Sequence, residues 1–428
     1  MRGVYVLLLI SLLGYTGRVS GQESVTITQC YEWARANYPQ IHQMGLIDQT
    51  ERYSLSNVGK AWLPQLSVSG KASYQSDVTK LPFDGDKISS LLPGFEIPSL
   101  SKDQYQVVAQ VDQTIWDGGS ARSARALTRA EATANREQLE SELYALNDRV
   151  NQIYFGCLLQ DELIRQNALL QKELQVNIER FKAMMDNVEA NQSDLESMEV
   201  ELLNARQNEI ELKASRTVYR QMLATFINKP LTDQVVLKTP ESPERSLFTQ
   251  INRPELRALD AKSEWIETQN KQVTAGLMPR IGAFVQGGYG RPGLNMLEDS
   301  FEPYYVAGVR LSWNLGKLYT LKNDRRKIEV SRRQIDVQRE TFLFNTRLQL
   351  LQQNTEIKKM TDLMRADDDI IRLRTSIKQA AEVKLENGVI SVTDLIREIN
   401  AEDMARQTAA AHRVQRLMTI YNYMYTTN

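Results

Sequence analysis

Cysteine and histidine are nearly absent from this chain of 428 residues, with two of each. Cys30 and Cys157 cannot make a disulfide framework, and Cys157 sits in a long helical run, so no bridge is expected. Ile27-Thr28-Gln29 ahead of Cys30 lacks the small residues of a lipidation signal. His42 and His412 have no carboxylate or cysteine at ligand spacing, which favours surface or packing roles over a metal centre. Nothing in the chain reads as catalytic, and no cofactor is expected. An excess of one charge is missing too. Lys and Arg number 52 against 53 Asp and Glu, so there is no polybasic surface for nucleic acid. Asp367-Asp368-Asp369 is read as a solvated helix face rather than a cation site.

Long apolar runs are also lacking. Val4 to Leu13 spans ten residues, about half what a membrane-spanning helix needs, and no later stretch is longer. Behind Arg2 and ahead of Val19 and Gly21, that run reads as a secretory signal over 1–21, cleaved before Gln22. An exported chain without a spanning helix can cross a membrane only through strands.

Proline and glycine drop out of two long tracts. Between Gly119 and Pro230 the single glycine is Gly156; beyond Gly316 there is no proline and only Gly388. The first tract reads as a helix from Ser120 to about Asp186, a polar break at 187–193, and a returning helix from Asp194 to Asn228. A helix of about 67 residues extends about 100 Å at 1.5 Å per residue. Leu195, Met198, Leu202 and Ala205 recur at 3-4-3 spacing, the mark of a coiled-coil hairpin. The polar majority suits helices wet on more than one side, as around a hollow tube.

What precedes each tract is a strand. Tyr105, Val107, Ala109, Val111 and Ile115 alternate with Gln106, Gln110, Asp112 and Thr114, giving one greasy face and one wet face. Trp116-Asp117-Gly118-Gly119 follows, with Asp117 as helix N-cap and two glycines to re-aim the backbone. Upstream, a helix over 28–59, capped by Thr26 or Thr28 and interrupted near Asn37-Tyr38-Pro39, ends at Leu63-Pro64. An alternating stretch over 65–75 and a loop over 76–103 lead back to the strand.

The second half repeats this order. Asn37-Tyr38-Pro39, Leu63-Pro64 and Tyr74 recur as Asn252-Arg253-Pro254, Met278-Pro279 and Tyr289. Trp313-Asn314-Leu315-Gly316 stands where Trp116-Asp117-Gly118-Gly119 stood. The expected fold is therefore mixed α+β with a tandem duplication. After the signal, a first strand-pair and helical-hairpin repeat covers 22–228, with strands about 65–75 and 104–116. An irregular linker follows over 229–250. The second repeat covers 251–428, with strands about 279–289 and 304–314.

Each strand has about 11 residues, the length of a tilted transmembrane strand. Tyr74, Tyr105, Tyr289 and Tyr305 mark one end of the apolar phase, and Trp116 and Trp313 mark the other. Such girdles face outer-membrane lipid. A soluble sandwich would alternate equally well. Four strands cannot close alone, and open edges are not tolerated in lipid, so a barrel shared between copies is expected. Two copies would give about eight strands and three about 12.

The two Pro-led strands, the two strand-to-helix junctions and the turn from Asn387 through Gly-Val-Ile-Ser-Val-Thr-Asp to Leu395 together resemble the TolC-like outer-membrane efflux protein family. The resemblance spans essentially the whole chain after the signal. It implies a homotrimer whose 12-stranded barrel continues into an α-helical coiled-coil tunnel across the periplasm. It also implies docking on a periplasmic adaptor (membrane fusion protein) and an inner-membrane pump. The duct would be passive, an exit for small molecules or proteins in a tripartite efflux or type I secretion system. By that resemblance the helix tips, Asn187 and Val188 in one repeat and Asn387, Gly388, Val389, Ile390 and Ser391 in the other, touch the adaptor. The first tip departs from the family pattern at Glu189. Asp394 stands at a family position for an acidic tunnel constriction, and Asp194 matches it in the first repeat. Arg397, followed by Glu398, replaces the next acidic residue, leaving open an acidic ring or an Asp–Arg network linking helices. Asp394 is equally well placed as a first-turn acid favoured by the helix dipole. Two other classes compete. A periplasmic adaptor would carry one hairpin with lipoyl-like strands, and a coiled-coil surface protein would leave the strand pairs unexplained.

Overall fold

The computed structural model describes residues 24–79, 100–186, 191–242, 250–296 and 298–428. The expected signal over 1–21, the tip residues Asn187, Val188 and Glu189, most of the loop 76–103 and part of the linker 229–250 lie outside them. In chain order the elements begin with β1 (Ser24–Val25), α1 (Ile27–Asn37), a 3-10 turn (Pro39–His42), α2 (Gln43–Lys60), β2 (Gln65–Tyr74) and β3 (Asp103–Trp116). Next come α3 (Ser120–Tyr144), α4 (Leu146–Asp186), α5 (Gln192–Ile227), β4 (Val236–Leu237) and α6 (Pro254–Ala275). The chain ends with β5 (Arg280–Arg291), β6 (Glu302–Ser312), α7 (Lys317–Glu386) and α8 (Val392–Thr427). They form two compact units, one from residues up to 42, 139–256 and 341–428, the other from 43–138 and 257–340. Among the described residues no helix is long and apolar enough to cross a membrane.

The second unit is built on a four-stranded antiparallel sheet in the order β2-β3-β5-β6. Its register sorts the side chains by kind. Leu66, Val111, Val285 and Ala307 form one cross-strand row, and Ser67, Gln110, Gln286 and Val306 form a row on the opposite face. The apolar face is open: Leu66, Val68, Val107, Val285, Val309 and Leu311 are all more than half exposed. Strand ends differ from the periodicity by one or two residues, most at β6, which is shifted by two at each end, while β5 continues through Gly290 to Arg291 in pairing with Tyr105 and Gln106.

At the end of β3 a bulge between Thr114 and Trp116 turns the chain toward α3. Asp117 then accepts from the amides of Gly119 (2.8 Å) and Ala121 (2.6 Å), so its carboxylate serves the first turn of α3 from two residues before the cap position, Gly119. Gly118 has φ +69°, and a Cβ there would lie 2.7 Å from that of Met278. Glycine is required at 118 on both counts.

In the first unit, Thr26 and Gln29 form a capping box that starts α1. Cys30, Ala34, Val150, Tyr154, Phe155, Leu223 and Leu237 share a core. The Tyr154 hydroxyl donates to the carbonyls of Val25 (2.9 Å) and Lys238 (2.7 Å), clamping β1 beside β4. The stretch expected to be irregular thus contributes a short parallel pair, Ser24 with Val236 and Val25 with Leu237. Cys30 and Cys157 are free thiols in this core, and burial pushes both up to about 12, which leaves them inert.

One expected helix is two. The run from Ser120 breaks at Ala145, between α3 and α4. There Tyr144 stacks on Tyr425 with ring centres 4.9 Å apart and donates its hydroxyl to the Tyr425 carbonyl at 2.9 Å. The Arg253 guanidinium lies 4.5 Å over Tyr425 and 5.3 Å over Tyr144. Contacts this distant in sequence leave no local mark of a helix break.

Candidate helix-tip and gate site

The tip between α7 and α8 is closed by local chemistry. Gly388 has φ +66°, its amide bonds to the Leu385 carbonyl at 2.9 Å, and the Val389 amide reaches Lys384 at 2.9 Å. This is a Schellman end, which a left-handed glycine permits. The Asn387 side chain adds a bond to the Val383 carbonyl at 2.7 Å. Val389 is exposed, whereas Ile390 packs on the apolar cluster beneath. Ser391 then caps α8: its hydroxyl accepts from the Asp394 amide at 3.2 Å, and Asp394 accepts from the Ser391 amide and hydroxyl at 3.1 and 2.7 Å. Beneath lie Leu174, Ile178 and Phe181 of α4, Leu195, Met198 and Leu202 of α5, and Val392, Leu395 and Ile399 of α8.

Asp394, Arg397 and Glu398, expected from the resemblance to line a gate, are in contact with one another on α8. Arg397 sits 3.2 Å from Asp394 and 3.5 Å from Glu398, and Glu398 also meets Arg374 of α7 at 3.3 Å. Asp394 is held below the ordinary aspartate range by the Ser391 hydroxyl and amide, with Arg397 adding to it. Capping and pairing therefore occupy this carboxylate together. Asp194 lies in the first turn of α5, which Asn191 caps, one residue before Leu195 of the shared cluster.

One turn further along α8 lies a group that sequence reasoning missed. Lys378 of α7 bridges Glu173 of α4 and Glu402 of α8, 2.8 Å from the latter. Glu402 is 3% exposed and also accepts from Thr375 at 2.6 Å and pairs with Arg406 at 2.5 Å. Burial raises the Glu402 carboxyl, but Lys378, Thr375 and Arg406 outweigh it and hold it at about 2. Burial likewise works against the Lys378 charge, and the two glutamates overcome it, so the ammonium is held above the usual lysine range. Beside it, burial pushes Asp403 up to about 6, with Glu173 and Glu402 assisting and Gln407 and Arg406 opposing. Glu173, Asn177, Lys378, Asp403 and Arg406 line one cleft of about 540 Å³. The signal was present: Glu402 and Arg406 continue the 3-4-3 stripe of Val392, Leu395 and Ile399, where a charge implies a buried partner.

Two further placements differ from, or add to, the expected ones. Asp367 is buried, not solvated, and its carboxylate lies 2.7 Å from Nδ1 of His412, 45 residues away. The hairpin of α7 and α8 supplies the partner that linear spacing hid. On the sheet, Tyr74, Tyr105, Tyr289 and Tyr305 are exposed at one end, and Trp116 and Trp313 at the other. Phe301 joins the tyrosines, stacking on Tyr105 and Tyr289 with centres 6.4 and 5.7 Å apart. Among the described residues no cluster of three or more His, Cys, Asp or Glu could hold a metal ion.

An open apolar sheet edged by aromatic rings, joined to very long helices, defines a class. The model of the outer membrane efflux protein family matches residues 30–229. By that stretch, a little under half its length, the chain resembles outer-membrane efflux channels, a class of transport protein. The fold agrees along nearly all of it. CusC is 15% identical at a TM-score of 0.66, over 94% of this chain and 92% of that one. VceC of Vibrio cholerae is 11% identical at 0.64, over 94% and 96%. The open state of MtrE from Neisseria gonorrhoeae is 15% identical at 0.62, over 94% and 88%. No curated protein matches the chain by sequence.

Proposed function

We propose that the protein is the homotrimeric exit duct of a tripartite efflux or type I secretion system. Three copies contribute four strands each to a 12-stranded barrel in the outer membrane, and their helices form a tunnel through the periplasm. The observation that carries this is the sheet, with an open apolar face, aromatic rings at both ends, and two edges, β2 and β6, without a strand partner among the described residues. Lipid offers no hydrogen bonds to such edges, and closure with further copies satisfies them. The two strand pairs, each followed by a helical hairpin, are read as a tandem duplication.

The helix tip with Asn387, Gly388, Val389, Ile390 and Ser391 is the surface for a periplasmic adaptor, which in turn engages an inner-membrane pump. Asp394, Arg397, Glu398 and Asp194 set the gate, as an Asp–Arg network rather than an acidic ring. The run of contacts from Asp394 through Arg397 and Glu398 to Arg374 of α7, which links two helices, favours that choice. The duct is passive and carries small molecules or proteins handed over by the pump. Electrophoresis of purified outer membranes tests the assembly: an unheated sample should migrate as a trimer and a heated one as a monomer. A single monomeric band in both lanes, with strand content intact, would count against it.

A further inference from the structure

The polar face of the sheet carries a charged cluster that neither the girdle nor the gate uses. From Lys71 to the helix end, the charged residues of this face are Lys71, Asp112, Arg280 and Arg310, a net of +2 from three cations and one carboxylate. Glu302 lies beyond them at the loop end. The two arginines are held in place. Arg310 lies 4.8 Å over the ring of Phe284, with Nη1 3.8 Å from Asp112. Gly308 leaves room for that ring, since a Cβ there would stand 3.2 Å from it. Arg280 donates to the Ser120 hydroxyl at 3.1 Å. Both border a cleft of about 580 Å³ that also contains Lys317 and Asp117. The Asp117 carboxylate is engaged by the Gly119 and Ala121 amides, and Asp112 also accepts from Gln110 at 2.7 Å.

We infer that Arg280 and Arg310 form an anion-selecting ring, binding organic anions through carboxylate, sulfonate or phosphate groups. The inference rests on the shared-barrel reading, in which this face lines the lumen and each copy contributes two arginines. A planar guanidinium matches such oxyanions bidentately, and one already fixed on a ring and a carboxylate loses little freedom on binding. Rings of like charge at a pore wall set which ions pass.

The test uses purified full-length protein in a planar bilayer, with tripolyphosphate added on the side facing the loops. Wild-type conductance should fall with tripolyphosphate concentration. Arg310→Gln and Arg280→Gln should each weaken that block about tenfold, as removal of one charge per copy near a polyanion implies. Lys71→Gln removes the same charge elsewhere on the face and should weaken it much less. No block of the wild type, or equal weakening by all three variants, would overturn the anion ring and leave the channel reading standing. Absence of any channel conductance from the wild type would overturn the shared barrel and the ring with it.

Discussion

Lys378→Met is the perturbation that the helical unit should feel most. Lys378 is the strongest of the three donors that keep Glu402 ionised while 3% exposed. The carboxyl lies at about 2 against an ordinary 4.5, a difference worth about 3 kcal/mol at 1.36 kcal/mol per unit. Thr375 and Arg406 remain in the variant, so the local loss should be about 2 kcal/mol. Amide hydrogen exchange reads that loss directly, as about thirtyfold faster exchange in the peptides around 374–382 and 395–406. The pH dependence carries its own sign. A depressed carboxyl contributes fully above pH 4.5 and loses its contribution as pH falls toward 2. The variant should lose protection at a higher pH than the wild type. Adding Glu402→Leu removes the stranded charge and should restore most of the protection, because Glu173 and Arg406 can turn to solvent. Unchanged exchange in the single variant, or no recovery in the double, would refute the view that this buried bridge ties α4, α7 and α8 together.

Other expectations follow from the same geometry. Asp403→Asn should flatten the loss of protection near the cleft as pH rises from about 4 through 6, since the raised carboxyl favours the folded state only while protonated; hydrogen exchange across that range checks it. Gly388→Ala puts a side chain at φ +66° and should destabilise the tip by about 1 kcal/mol, seen as about fivefold faster exchange over 385–395, with the sheet unaffected. Asp394→Ala should leave trimer stability nearly unchanged but alter conductance or cation preference in a planar bilayer, with Arg397→Ala shifting preference the opposite way. Wild-type behaviour in both would place the constriction elsewhere.

What could be read from the sequence is what local rules decide. The alternation of β3, the Asp117 carboxylate with its two glycines, and the turn at Gly388-Val389-Ile390-Ser391 each follow from residues within a few positions of one another. The cluster of Asp394, Arg397 and Glu398 on α8 is local in the same sense. Asp367 with His412 and Lys378 with Glu173 and Glu402 lie 45, 205 and 24 residues apart, and only the packed helices bring them within bonding distance. The break at Ala145 escaped notice for the same reason, its partners Arg253 and Tyr425 being far downstream. Phe301 lies off the strand phase in a loop, so periodicity could not add it to the girdle.

Closure of the sheet between copies is best tested at its two free edges. In a cysteine-free background, cysteines are placed on β2 at Leu66 or Val68 and on β6 at Val309 or Leu311, in paired combinations. Mild oxidation of outer membranes should link β6 of one copy to β2 of the next, giving dimer bands and then a closed trimer band at the matching register. Each cysteine alone should give no ladder. If no combination links copies, or if β2 and β6 of the same copy link to each other, the strands do not form a barrel shared among three chains.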